Sequence, residues 1–374
     1  MKKFIYTAMT VAAIAVATSA SGQFSMAPLT TFSPNSDGWL APGEGGYTFL
    51  GTANNERGMA YNPVTAELLL VSRNGGNFIR RLDAGTGADV GALITTGITG
   101  GTFAVNKIAA AADGVIYVGN LQGAMGAAAP FKVYSYANNV AAPVVAYSGN
   151  ALTGARLGDS TLGVTGIGSG TRLVSGFAAS PAIAGNNGYA VIDPTLGTST
   201  TVGFVGTPPA AGDFRLGLTV GPSGQVWGLQ GSQTLRETTF SGASGTLLGT
   251  ASGIVSIAER PMAFAKVNGL NILATISTGD STIRVYDASN PLVLILLGSA
   301  NTTSGPLTTN PNGTGDIIIG KQTDNGDGTT DVVIIGMSSN QGIQAVIAHV
   351  PEPATGAILG LGISALVALR RSRK

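Results

Sequence analysis

The sequence predicts an all-β fold made of six like units, and three observations carry that expectation. Short runs of Val, Ile, Leu, Tyr and Phe recur between Gly, Asn, Asp and Pro, while no segment from Gln23 to His349 keeps a helical period over three turns. The composition is rich in glycine, with 56 residues, and only 10% of the chain is charged, which suits short strands and tight turns rather than disorder. The most regular strand returns at near-constant intervals, its centres at Leu69, Ile116, Leu173, Val226, Ile272 and Val333 lying 47, 57, 53, 46 and 61 residues apart.

Each of these strands is followed by a second: Phe78 to Leu82, Phe131 to Tyr136, Tyr189 to Ile192, Leu235 to Phe240, Thr282 to Tyr286 and Ile343 to Ala348. Several second strands end in an aspartate turn, as in Asp83-Ala84-Gly85-Thr86-Gly87, Asp193-Pro194-Thr195-Leu196-Gly197 and Asp287-Ala288-Ser289-Asn290-Pro291. Third, outer strands are legible in five units, for example Pro143 to Tyr147 and Leu292 to Leu297. The sixth unit has none, and an unclaimed strand, Tyr47-Thr48-Phe49-Leu50, precedes the first. Pairing Tyr47–Leu50 with the strand holding Ile343 to Ile347 would close a ring.

Four-stranded units closed in this way resemble a β-propeller, here six-bladed and closed by an N-terminal strand, with radial repetition leaving few free sheet edges. The stretches Glu56-Arg57-Gly58-Met59-Ala60-Tyr61-Asn62-Pro63 and Leu82-Asp83-Ala84-Gly85-Thr86-Gly87 look like those of secreted bacterial propellers. A long β-helix or a pair of sandwiches is the competing fold, but a solenoid has shorter and more uniform repeats.

Both ends read as sorting segments. Residues 1–22 run Met1-Lys2-Lys3, then uncharged from Phe4 to Ala17, then small through Thr18-Ser19-Ala20-Ser21-Gly22, the order of a cleavable signal peptide handled by the secretion machinery. Residues 350–374 begin Val350-Pro351-Glu352-Pro353, continue uncharged from Ala354 to Leu369, and close with Arg370, Arg371, Ser372, Arg373 and Lys374. This tail resembles the PEP-CTERM sorting signal, which implies a short membrane helix, a basic cytoplasmic tip and cleavage by an exosortase near the Pro-Glu-Pro motif. Prolines keep a chain extended, and arginines hold the tip on the cytoplasmic side. Sixteen residues of helix reach about 24 Å, short of a ~30 Å hydrocarbon core, so transient anchoring is expected. Gly356-x-x-x-Gly360 is a weak candidate for helix pairing.

The domain between them, residues 23–349, holds 14 basic and 18 acidic residues once Lys2, Lys3, Glu352, Arg370, Arg371, Arg373 and Lys374 are set aside. A basic stripe for nucleic acid is therefore missing. The chain has no cysteine, and a domain of this size needs no disulfide to bury a core.

Chemistry is sparse. The single histidine, His349, leaves His-based metal sites and Ser-His-Asp triads without parts, and no cofactor motif occurs. Asp324 to Asp331 packs carboxylates closely, but with Gly328 at the glycine position of a calcium loop the bidentate acid would be Ile334, so the segment reads as a hairpin turn and no metal ligand is assigned. Gly166-Ile167-Gly168-Ser169-Gly170 reads as a turn, and Asn301-Thr302-Thr303 and Asn312-Gly313-Thr314 match a glycosylation triplet weakly.

One pattern stands out. Near the start of each expected innermost strand lie charged residues: Glu56 and Arg57, Lys107, Arg156 and Asp159, Asp213 and Arg215, Glu259 and Arg260, and Asp316. In a propeller that position is the mouth of the central channel. Two readings follow: a ring of donors and acceptors for a polar ligand such as a sugar or small anion, or inter-blade ion pairs that neutralise one another. Trp39 and Trp227 are candidates to stack on sugars. The functional expectation is an exported cell-envelope or extracellular-matrix protein, a non-catalytic binding or structural propeller with extracellular polysaccharide as a candidate partner. The alternative is a propeller-type hydrolase, lactonase or lyase acting on an extracellular substrate.

Overall fold

The computed structural model describes residues 23–352, apart from 124–128, 179–185, 207, 222, 230–233 and 291. The expected signal peptide and membrane helix lie outside the described residues. Among the described residues, no helix is long and apolar enough to cross a membrane.

Two short strands come first, β1 (Ser25–Pro28) and β2 (Trp39–Leu40). Blade 1 follows as β3 (Glu56–Asn62), β4 (Glu67–Ser72), β5 (Phe78–Asp83) and β6 (Asp89–Ala92). Blade 2 is β7 (Phe103–Ala110), β8 (Ile116–Leu121), β9 (Phe131–Tyr136) and β10 (Val144–Gly149). Blade 3 is β11 (Gly163–Thr165), β12 (Arg172–Gly176), β13 (Tyr189–Asp193) and β14 (Thr198–Val202). Blade 4 is β15 (Gly217–Val220), β16 (Val226–Leu229), β17 (Leu235–Ser241) and β18 (Ser244–Ala251). Blade 5 is β19 (Met262–Val267), β20 (Leu270–Ile276), β21 (Ile283–Asp287) and β22 (Ile295–Ala300). Blade 6 begins with β23 (Gly315–Asp324), β24 (Thr329–Ser338) and β25 (Ile343–Pro351). Every blade is an antiparallel meander, as expected of a six-bladed propeller, and the recurring strand in the sequence is the second strand of each.

The expected aspartate turns are present. Asp83 Oδ1 accepts from the N–H groups of Gly85 at 3.0 Å and Thr86 at 2.8 Å, and Asp193 Oδ1 accepts from Thr195 and Leu196, each at 3.0 Å. A short side-chain acceptor supplies these bonds from within the turn, which is why Asp recurs at the end of the third strand.

An N-terminal strand does complete blade 6, but it is not Tyr47–Leu50. β1 pairs with β25, Ser25 opposite His349 and Pro28 opposite Val346, and β2 adds Trp39 opposite Gln344 and Leu40 opposite Ile343. Tyr47–Leu50 forms turns, after a segment in which Gly43, Gly45 and Gly46 all have positive φ. Its apolar residues fill an interface instead: Phe49 and Leu50 are buried, and the Tyr47 ring stacks on Phe49 at 5.0 Å. Apolar content that fills a gap between blades resembles a strand when only the sequence is read.

Among the described residues, six apolar clusters lie between neighbouring blades. That between blades 6 and 1 joins Ile335, Met337 and Ile343 to Met59, Leu68 and Leu70, sealed by Phe32, Leu40, Phe49 and Leu50. The interface of blades 5 and 6 joins Ile276 and Val285 to Ile334 and Val346, with Val350 at its edge. The inner strands of all six blades enclose a channel of about 270 Å³ lined mainly by residues with apolar side chains, among them Met59, Ala109, Val164, Leu218, Phe264 and Ile318.

Candidate functional site

A cavity of about 200 Å³ opens where the inner strands begin, and Arg57, Arg156, Asp159 and Arg215 line it together with Phe103 and Thr314. Arg57 starts from β3, next to Gly58, where an added Cβ would stand 3.0 Å from Lys107 Cα; the missing side chain lets blades 1 and 2 approach there. Arg156 and Asp159 come from the loop into blade 3, and Arg215 from the loop into blade 4. Thr314 ends the long segment between β22 and β23 and accepts from Arg57 Nη1 through its Oγ1 at 2.5 Å.

Charge here is unbalanced. Among the described residues Asp159 is the one carboxylate lining the cavity, and it is held twice: Arg156 Nη2 lies 2.5 Å from Oδ1 and Arg215 Nε 2.7 Å from Oδ2. Arg57 has no ion-pair partner among the described residues; its Nε donates to the Asn54 carbonyl at 3.2 Å. Arg260 also lacks one, and its Nε has no acceptor among the described residues. Its Nη1 occupies the space of a side chain at Gly313, 2.1 Å from where a Cβ would be, so the loop and this guanidinium are packed together.

Burial pushes the Arg57 guanidinium below its ordinary pKa, opposed by the charges of Asp159 and Glu56. Burial does the same to Arg260, reinforced by the neighbouring Arg215. Arg73, absent from the sequence-based ring, is lowered to about 10 by burial and then by Arg57, with Glu56 opposing. Burial penalises these guanidinium charges, and a negative partner offsets such a penalty. Arg73 also stacks on Phe103, its Cζ 3.5 Å from the ring centroid. Phe103 is 38% exposed, which leaves it an aromatic surface at the cavity backed by a cation.

Beside the cavity, Lys107 Nζ bonds Asp316 Oδ2 at 2.5 Å, the Arg57 carbonyl at 3.0 Å and the Gly315 carbonyl at 3.5 Å. Asp316 Oδ2 also accepts from the Met59 N–H at 2.9 Å. Lys107 is 2% exposed, and this knot ties blades 1, 2 and 6 at the channel mouth. It fits the ion-pair reading of the charged ring.

Of the ten charged residues expected at the mouth, Arg57, Arg156, Asp159 and Arg215 meet at the cavity and Lys107 and Asp316 beside it, while Arg260 packs against Gly313 near Arg215. The other three turn away. Glu56 is buried, its Oε1 accepting from the Gly51 N–H at 2.9 Å. Glu259 is buried inside blade 5, where Tyr286 donates at 2.6 Å, Thr275 at 2.7 Å and Arg284 at 3.3 Å. Asp213 pairs outward with Arg236 at 3.2 Å. The register of β3 against β4 shifts between Glu56 and Gly58, and such a bulge at Arg57 re-aims side chains that regular alternation would not separate in this way.

The tryptophans do not serve the cavity. Trp227 is a core residue stacked on Phe264 at 5.8 Å, and Trp39 is buried with its Nε1 donating to the Gln341 carbonyl at 2.9 Å. His349 belongs to β25, with Nδ1 2.7 Å from Asp331 Oδ1. Asp324–Asp331 spans the β23–β24 turn, where Asp324 Oδ1 accepts from Gly326 at 2.8 Å and Asp327 Oδ1 from the Thr329 N–H at 3.0 Å. Among the described residues, no group of three or more His, Cys, Asp or Glu is arranged to hold a metal ion.

With this geometry in hand, comparison with known proteins gives two matches within the chain. Residues 57–199 match a family described as a domain of unknown function, DUF4623. Residues 349–374 match the PEP-CTERM protein-sorting motif. The chain carries a PEP-CTERM sorting signal. Such a signal marks an exported protein that an exosortase processes, on a propeller that the fold above displays.

No curated protein matches the chain. Among solved structures, a DUF4623 family protein from Bacteroides eggerthii is similar with a TM-score of 0.61 at 16% identity, over 88% of this chain and 75% of that one. AofleA from Arthrobotrys oligospora reaches a TM-score of 0.46 at 13% identity, over 88% and 89%. A periplasmic gluconolactonase from Pseudomonas aeruginosa, PpgL, reaches 0.43 at 14%, over 79% and 88%. The first likeness supports the fold, and the other two carry nothing further.

Proposed function

We propose that this chain is an exported, non-catalytic binding propeller of the cell envelope or extracellular matrix, and that its channel mouth holds a small carboxylate or an acidic sugar unit. The observation that carries the reading is the set Arg57, Arg156 and Arg215 around one cavity whose lining, among the described residues, includes a single carboxylate, Asp159. Guanidinium groups offer paired N–H donors that match a carboxylate, and charge-assisted bonds of this kind are about twice as strong as neutral ones. The cavity, about 200 Å³, lies below the ~300 Å³ at which drug-sized sites begin, so it suits one small ring or acid. Phe103 supplies a flat apolar surface for the non-ionic face of such a ligand.

The hydrolase, lactonase or lyase reading would need a free base or a metal. Asp159 is engaged by two arginines and Asp316 by Lys107 and the Met59 N–H, so neither carboxylate is free to act as that base. A structural role without ligand is the remaining competitor. A calorimetric screen of uronic acids, other acidic sugars and small carboxylates against the mature protein separates them. Salt-sensitive binding that Arg215→Gln weakens supports the proposal; a screen without a ligand removes it and leaves the structural role.

A further inference from the structure

β25 continues past the propeller's edge into the sorting motif. Pro351 stands opposite Thr329 and Val350 opposite Thr330, and the Glu352 N–H donates to the Gly328 carbonyl at 2.9 Å. Val350 is fully buried in the interface of blades 5 and 6. Its carbonyl accepts from Asn268 Nδ2 at 3.0 Å, and Asn268 Oδ1 in turn accepts from Thr330 Oγ1 at 2.7 Å, so blade 5 ties the strand end down. Glu352 itself is exposed, its backbone held over Gly328 at the tip of the β23–β24 hairpin.

A protease needs several residues of accessible, extended chain around the bond it cuts, and local opening of a paired, buried strand is the step that limits attack on folded protein. We propose that the exosortase cut falls on the C-terminal side of Glu352, and that the β23–β24 hairpin presents Glu352 to the enzyme as a fixed, exposed carboxylate. The mature propeller then keeps Val350, Pro351 and Glu352 in its last blade. In the cut, the scissile C–N bond breaks and the departing amine takes a proton. The acyl carbon takes the OH of water, or the oxygen or nitrogen of a hydroxyl or amine acceptor that gives up that proton. The inference rests on exosortase handling, but the position of the cut follows from the strand.

Mass spectrometry of the intact protein and of its C-terminal peptide, from the native host, tests it. A C-terminus at or beyond Glu352 and short of Arg370 is expected. A C-terminus at Pro351 or earlier overturns the position, whereas a mass that retains Lys374 overturns exosortase processing itself. Independently, carboxypeptidase digestion of the full chain in detergent should halt before Val350, and smooth trimming through Val350 would overturn the anchoring. Asn268→Ala should speed trimming past Glu352 by about five-fold, the effect of one lost hydrogen bond on a local opening equilibrium. Equal rates in the variant would likewise overturn it.

Discussion

Replacing Lys107 with Met tests the knot that joins blades 1, 2 and 6. The ammonium is 2% exposed and serves three acceptors, Asp316 Oδ2 at 2.5 Å and the carbonyls of Arg57 and Gly315 at 3.0 and 3.5 Å. Removing one partner of a fully buried pair costs about 3–5 kcal/mol, because the other charge is left uncompensated. The Asp316 side chain is 18% exposed and keeps the Met59 N–H, so Lys107→Met should cost somewhat less, about 2–4 kcal/mol. Asp316→Asn strands the more deeply buried cation and should cost at least as much. The double variant removes both charges and should be less destabilised than the sum of the singles, with a coupling of about 1.5–3 kcal/mol. Urea unfolding at neutral pH reads all three through the midpoint, with the slope unchanged. A cost below ~1 kcal/mol for Lys107→Met, or additive singles, would refute the claim that this pair carries stability across three blades.

Four further outcomes follow from the same structure. Arg57→Gln, Arg156→Gln and Arg215→Gln should each cost at most about 1 kcal/mol in stability, while each contact to a carboxylate ligand lost should weaken binding by about 1.5–3 kcal/mol in calorimetry; Arg260→Gln should leave binding unchanged. Deleting residues 23–52 removes β1, β2 and the interface residues Phe32, Leu40, Phe49 and Leu50, and should abolish or sharply lower the thermal midpoint; a midpoint close to that of the parent would refute ring closure. Phe49→Ala should cost about 3–5 kcal/mol, the loss on truncating a buried aromatic, measured by urea unfolding, although the residue lies in no strand. Burial holds the Glu56 carboxyl above its ordinary 4.5, so the folded state binds its proton more tightly than the unfolded chain, and stability from this group falls as pH rises through the raised value. The stability of Glu56→Gln relative to the parent should therefore increase from pH 4.5 towards neutrality, and a pH-independent difference would show that burial does not govern Glu56.

Local pattern determined much of this protein. Apolar runs bounded by turn residues placed the second and third strands of all six blades, because a strand's propensity and its flanking turns are short-range properties. Asp83 and Asp193 are legible for the same reason, since each side chain caps its own turn. The sorting motif is legible because it is recognised as linear sequence. Tertiary structure alone decided what closes the ring: Tyr47–Leu50 and Ser25–Pro28 are both short and partly apolar, and only the open edge of β25 chose between them. It also decided the site. The charged residues recur at one phase of the repeat, yet Glu56, Asp213 and Glu259 turn to partners within their own surroundings, and side-chain direction depends on bulges and loop paths that leave no mark in composition. Arg73 follows the second strand, another phase of the repeat, and reaches the mouth only through folding, whereas Phe103 starts an innermost strand like Glu56 but carries no charge to mark it. The hold of β24 on Val350 to Glu352 is of the same kind, because pairing between distant strands is set by the geometry of the closed ring.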